Sequence, residues 1–372
     1  MASSSAWHKD ATHSIRGDWV AAPDFPQLVR SVQRNCDISD SRHAGDYGLC
    51  TFLLKMREYY RWENELPFGR AVPKDDLGEW LTGRELSWSR IEEEDFVPLR
   101  LGETVLDAFE AEVANRELLP RGLVYSAGYG PFHKPVFFLG RLLRIEERAG
   151  LTILVSSCEY ARELAAPPAM LQGRTIFLRQ ESARRYLWEK IEEWQWRKQD
   201  NAMARTLAGY GFGSDPETAL QRMADDLMET MILHEIGEAA AAKLLGEPWH
   251  ELSHSVARTP GEAIARAVRD LLADCLSTLP GLLEAPDRRA LDLYFATFDA
   301  PRRQLFPQAL EAYETFTRCG ASARLDEVVR EGERRWLATA RGLLALDPGR
   351  REEALTGLLD ERAPGSGTAS GR

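Results

Sequence analysis

Between Leu227 and Leu245 the chain carries Leu227, Met228, Met231, Ile232, Leu233, Ile236, Leu244 and Leu245, together with four consecutive alanines. At roughly 100° per residue these positions ring a helix instead of forming one stripe, which requires an element buried on most sides. Into that apolar helix the sequence sets His234-Glu235-Ile236-Gly237-Glu238. Its three polar side chains share an arc of roughly 100° on the helical wheel.

Buried carboxylates are costly unless they are paired, protonated or coordinated, so the arc demands a partner. A divalent metal ion (Zn, Fe or Mn) would serve all three groups. His234 and Glu238, at i and i+4, can grip one ion, and Glu235 can then hold a proton, as the catalytic base of a hydrolytic site, or a second ion. The other reading is an internal ion network with arginines from neighbouring helices. Further ligands are available in Asp270 and Asp274, again i and i+4, and in His250 and His254. The two aspartates lie away from the apolar face of Ile264, Val268, Leu271, Cys275 and Leu279, a position that also suits solvent. For the two histidines an exposed loop or helix end is the other reading.

A second block, Cys36 to Tyr47, repeats ionisable groups every third residue: Asp37, Asp40, His43 and Asp46. Mixed carboxylate and imidazole donors suit Fe, Mn or Zn, which makes Asp40 and His43 candidate ligands. Capping is the alternative: Asp40 or Ser41 can begin one helix, and Asp46 falls in the first turn of the next. In the following Met56–Glu63 segment, Arg57 and Arg61 are placed to pair with buried carboxylates, and Tyr59, Tyr60 and Trp62 to pack.

Met231 to Glu238 resembles the apolar-flanked HExxH helix of the zincin metalloproteases, with Glu238 standing where that family has its second histidine. The resemblance implies a metal ligand at His234 and a general base at Glu235. The Cys36–Glu63 block together with the HEIGE helix resembles a family of uncharacterised bacterial proteins, over most of the chain. That likeness implies no activity.

At 372 residues the chain exceeds the ~100–200 residues of a typical single domain. The pattern divides it into a flexible arm (1–25), a helical region (26–120), a small antiparallel β region (121–180), a helical region with the HEIGE motif (181–362) and a disordered tail (363–372). Within the first helical region, helices are expected from Pro26 to Glu63, with the second from about Ala44, near Asp75–Leu81 and over Glu103–Leu118. Short β-branched or aromatic runs at Leu123–Ser126, Val136–Leu139, Leu151–Val155 and Thr175–Leu178, separated by glycines, give the strands, with Arg141–Gly150 joining two of them. The fold class expected is α+β, mostly helical with a small antiparallel sheet inserted mid-chain. Gly209–Pro216 lacks the Lys-Ser/Thr of a phosphate loop and reads as a connector whose Asp215-Pro216 opens the next helix.

Composition narrows the partners. A formal charge of −11, with arginines interspersed among Glu and Asp, disfavours general nucleic-acid binding. Hydrophobic content of 44% and charged content of 28% are ordinary for a globular chain, and nothing suggests a membrane span. Five scattered cysteines without a CxxC pair argue against a disulfide framework or a cysteine zinc site. The opening residues lack the apolar core of a secretory signal, so cytoplasmic location is expected.

These readings lead to a metal-dependent enzyme, hydrolytic in type, acting on a small-molecule or peptide substrate. The alternatives are a helical di-metal (Fe or Mn) oxidase or oxygenase recruiting Asp40, His43 and Asp46, an Mg-dependent nucleotide pyrophosphohydrolase, or a scaffold with a buried ion network.

Overall fold

The computed structural model describes residues 24–130 and 133–360. The expected arm, up to residue 23, and the expected tail lie outside them. The chain divides into two compact units, Met1–Glu189 and Lys190–Arg372.

In the N-terminal unit α1 (Phe25–His43), α2 (Leu49–Glu63) and α3 (Lys74–Trp88) precede a hairpin of β1 (Leu99–Leu101) and β2 (Thr104–Leu106) and the short α4 (Ala111–Leu118). The main sheet follows: β3 (Leu123–Tyr129), β4 (Pro135–Arg148), β5 (Leu151–Arg162), β6 (Ala169–Gln172) and β7 (Thr175–Arg179), leading into α5 (Gln180–Gln195). Its order is β3-β4-β5-β7-β6. Every pairing is antiparallel except β5 with β7, because the chain crosses to the far edge, lays down β6, and turns back through Gly173 to place β7 alongside β5.

The fold is mostly helical α+β with a mid-chain sheet, as the pattern indicates, but three local expectations change. Glu103–Leu118 is not one helix: Gly102, at φ 61°, reverses the chain so that Leu99, Leu101 and Leu106 bury as a hairpin, and helix begins at Ala111. Arg141–Gly150 is not a connector, since β4 runs on to Arg148 and only Ala149 and Gly150, both at positive φ, make the turn. α2 starts at Leu49 instead of about Ala44, because a 3₁₀ turn over Ala44–Asp46 and the extended Gly48 intervene.

One face of the sheet packs against α1 through Leu28, Val32 and Cys36, which meet Tyr125, Phe137, Leu139 and Ala161. The opposite face buries Val124, Phe138, Leu142, Leu154 and Phe177. The polar members of the sheet's surroundings are ion-paired. Glu159 takes Arg179 Nη2 at 2.5 Å and the Ser182 hydroxyl at 2.5 Å, while Glu163 takes Arg179 Nη1 at 3.0 Å.

Among the described residues the C-terminal unit is helical: α6 (Ala202–Tyr210), α7 (Pro216–Leu245), α8 (Glu247–Ser255), α9 (Pro260–Ala273), a π-helical turn (Asp274–Thr278), α10 (Leu279–Glu284), α11 (Arg289–Ala296), α12 (Ala300–Leu305), α13 (Pro307–Cys319), α14 (Ala323–Leu344) and α15 (Pro348–Asp360). Asp215 caps α7 by accepting from the Thr218 amide at 3.1 Å, with Pro216 in its first turn. The 30 residues of α7 form the central element, with Leu227, Met228, Ile232 and Ala241 buried. Gly237 lets α9 approach backbone to backbone, because a Cβ there would collide with the Ala273 carbonyl. Among the described residues no helix is long and apolar enough to cross a membrane.

Candidate metal centre

Four side chains of the C-terminal unit are brought together where α7 meets the end of α9. His234 Nδ1 lies 2.8 Å from Asp274 Oδ1. An ionised carboxylate can only accept, so Nδ1 carries the proton and the Nε2 edge faces the other way. There it meets Glu238 Oε1 at 3.5 Å. Ligand atoms of His234, Glu238 and Asp270 all lie within 4.8 Å of one another. Asp270 Oδ1 is buried and has no hydrogen-bond donor among the described residues; the nearest cation, Arg269 Nη2, is 3.7 Å away.

The sequence left open whether Asp270 and Asp274 faced solvent. They face α7, on one regular helical turn in which the Asp274 amide bonds back to the Asp270 carbonyl, on the side where Gly237 admits the backbone of α9; the turn after them is irregular. Pro280, in the first turn of α10, has no N–H to give to the carbonyl one turn back, and its ring would press on that carbonyl in a regular α-helix. The chain relieves this with the π turn, in which the Leu279 amide reaches back five residues to the Asp274 carbonyl. Asp274, at the start of this turn, is completely buried.

Asp274 is anchored on its other oxygen by the Tyr294 hydroxyl at 2.7 Å and Arg302 Nη1 at 2.9 Å. Arg269 Nη2 donates to Glu238 Oε1 at 2.7 Å. None of Arg269, Tyr294 and Arg302 had been singled out from the sequence. Their only signal is the charge requirement of the buried acids, since two of the three arrive from helices far along the chain.

The electrostatics follow from burial and these contacts. Burial pushes Glu235 up, and the neighbouring negative charge of Glu238 pushes further, to about 8. Burial and Glu238 likewise raise Asp270 to about 6. For Glu238 burial acts upward but is outweighed by Arg269 and His234, which hold it at about 2. Asp274 is held well below the usual carboxylate range by His234 and Arg302 against the effect of burial. His234 is raised in turn, its desolvation overcome by Asp274 and Glu238.

The cluster is reachable: the side chains of His234 and Glu238 retain 21% and 17% exposure. His250 and His254 sit exposed on α8, outside the group. Asp40 and His43 belong to the N-terminal unit and have partners there. Asp40 does not begin a helix; it is buried inside α1, where it takes Lys134 Nζ and the Leu164 amide, the latter at 2.7 Å. His43 Nδ1 lies 2.8 Å from Asp46, which stands in the 3₁₀ turn and not in the first turn of α2. Arg57 and Arg61 both donate to the buried Glu58 at 2.9 Å.

Residues 27–179 match the N-terminal domain, and residues 184–362 the C-terminal domain, of a family of unknown function (DUF6866). The chain belongs to the DUF6866 family. The candidate metal group falls wholly within the family's C-terminal domain. No curated protein and no solved structure matches the chain. The likeness of Met231–Glu238 to a zincin helix finds no support in these matches.

Proposed function

We propose that His234, Glu238 and Asp270 hold one divalent transition metal ion and that the protein is a metal-dependent enzyme of hydrolytic type, with Glu235 as its base. The observation that carries the reading is the tethered imidazole: Nδ1 bound to an anchored carboxylate, Nε2 directed at two more carboxylates. A carboxylate behind a histidine fixes its tautomer and raises its basicity as a metal ligand. The Nε2 to Oε1 separation of 3.5 Å is too long for a good hydrogen bond and close to the edge, about 3.3 Å, of a tetrahedron with ligand bonds near 2.0–2.1 Å. One imidazole with two carboxylates suits Zn, Fe or Mn.

When bound, such an ion lowers the pKa of its water towards ~7. Glu235, buried one residue from the ligand His234 and raised to about 8, keeps its proton at neutral pH until the charge of a bound ion would draw it off, leaving a carboxylate to serve as the base. Asp274 orients His234. Arg269, bonded to Glu238 and half-buried, offers a positive group to an anionic part of a substrate.

A second reading has one specific observation in its favour. Arg269 already donates to Glu238 Oε1, and protonated His234, Arg269 and Arg302 together offset Glu238, Asp270 and Asp274, so the cluster is electrically neutral as an ion network. Elemental analysis of protein purified without an affinity tag separates the two. The metal reading expects about one equivalent of Zn, Fe or Mn, lost in His234→Ala; less than ~0.2 equivalents after expression in supplemented medium overturns it. Generic ester, phosphodiester and peptide substrates then test hydrolysis, where Glu235→Gln should lower the rate ~10²–10⁴-fold with metal content retained.

A further inference from the structure

A cavity of about 50 Å³ lies within the N-terminal unit, between α2, the segment after β5 and the start of α5. Its buried floor includes Arg162, Arg185 and Glu58; Lys55 and Glu189 stand half-buried at its rim. The space is several times the ~10–15 Å³ that a single water needs.

Arg162 is the unusual member. It is 2% exposed. Its Nε donates to the Glu163 carbonyl at 3.2 Å and its Nη2 reaches the Leu164 carbonyl at 3.5 Å, while its Nη1 is buried with no hydrogen-bond partner among the described residues. The carboxylate of Glu159 is 4.0 Å from Nε and is already engaged by Arg179 and Ser182. Arg185 gives Nη1 to the Glu58 carbonyl at 3.0 Å and Nη2 to Glu181 at 3.4 Å, yet its Nε too is unpartnered. Of the acids in the lining, Glu58 commits Oε1 to Arg57 and Arg61, and its Oε2 stands 3.9 Å from Arg185.

Two guanidiniums and an ammonium around one pocket repel each other, and burial removes much of the water that would screen them. The strain shows in the titration of the group: burial, then the charge of Arg162, brings Arg185 down to about 10. Burial also lowers Lys55 and raises Glu189, each partly opposed by the charge of the other. The wall is shaped by a non-glycine residue in the left-handed region, buried Ala166 at φ 41°, a costly conformation that persists where the surroundings over-determine it. A water could accept the spare N–H groups but would add no negative charge beside the three cations. An oxyanion does both, and guanidinium geometry is suited to it.

We propose that this cavity is a binding site for a small oxyanion, a phosphate or carboxylate group, held by Arg162, Arg185 and Lys55. It is independent of the metal reading, since every lining residue belongs to the N-terminal unit. The test is thermal denaturation of the full chain in inorganic phosphate and, separately, acetate, each against sodium chloride at matched ionic strength. The site expects a saturable rise in Tm with at least one of the two over chloride, the arm that responds naming the anion. Lys55→Met, at the rim, should shift half-saturation at least fivefold, and Arg162→Gln should abolish the rise. The proposal is overturned if neither anion exceeds chloride, or if Lys55→Met responds as the wild type does. Because Arg162→Gln can lose its fold, the Lys55→Met comparison decides by itself.

Discussion

Asp274 accepts from His234 Nδ1 at 2.8 Å across the junction of α7 and the π turn, with its second oxygen fixed by Tyr294 and Arg302. The aspartate therefore acts on the candidate metal group through the imidazole without joining it. Asp274→Asn keeps the shape but gives Nδ1 a poorer acceptor. The expected outcome is metal affinity weakened about 10–100-fold, read by competition with a chromogenic chelator, while His234→Ala removes the metal altogether. Unchanged affinity in Asp274→Asn would show that the imidazole is oriented by something else.

Gly237 gives a prediction about packing. With a Cβ at this position driven into the Ala273 carbonyl, Gly237→Ala has no flexible neighbour to yield, and α7 must move off α9. A loss of about 3 kcal/mol or more in urea denaturation is expected, at the upper end of overpacking costs. A loss below about 1 kcal/mol would mean that the two helices are not in backbone contact.

In the N-terminal unit Asp40 and Lys134 form a buried pair with 0% and 6% side-chain exposure. Removing one partner strands the other charge. Asp40→Ala and Lys134→Met should each cost about 3–5 kcal/mol, and the double variant much less than their sum. Additive losses in the double-mutant cycle would count against the pair.

Glu159 supplies a pH signature. Against the upward effect of burial, Arg179 and Arg162 hold its carboxyl at about 2, below the usual 4.5 of a glutamate. A depressed acid stabilises the fold above its unfolded pKa and loses that contribution as pH falls through the folded one. The wild-type advantage over Glu159→Gln should thus be largest above about pH 5 and shrink steadily towards about pH 2, by roughly 3 kcal/mol in all. Parallel stability curves for the two proteins across that range would contradict the assignment.

The HEIGE group was legible because acids inside an apolar helix are a violation that needs a cause. Asp270 and Asp274 were legible as an i, i+4 pair but not in their direction, because α9 is buried on more than one side and the sequence does not say that α7 lies against the side that carries the acids. The arginines and tyrosine that complete the cluster come from α9, α11 and α12, and single-sequence periodicity holds no information on which helices meet. The length of β4 was hidden for another reason. Arg144, Glu146 and Arg148 alternate along one face of the strand and pair with one another, a ladder that reads as a polar connector until the face is known.

The π turn has a consequence for the chain's tolerance of length change. It stores one residue more than an α-helix needs for the same advance. Upstream of it the phase of α9 points Asp270 at α7; downstream, the phase of α10 keeps Leu279 and Leu282 in the core. Deleting one residue between Asp274 and Thr278 would remove the bulge and leave both phases as they are, whereas adding one, or winding the same residues as an unbroken α-helix, would rotate one half by about 100° relative to the other. The acids or the leucines would then lose their place, so this five-residue stretch is the phase adjuster that lets one helix serve both the polar cluster and the apolar interior.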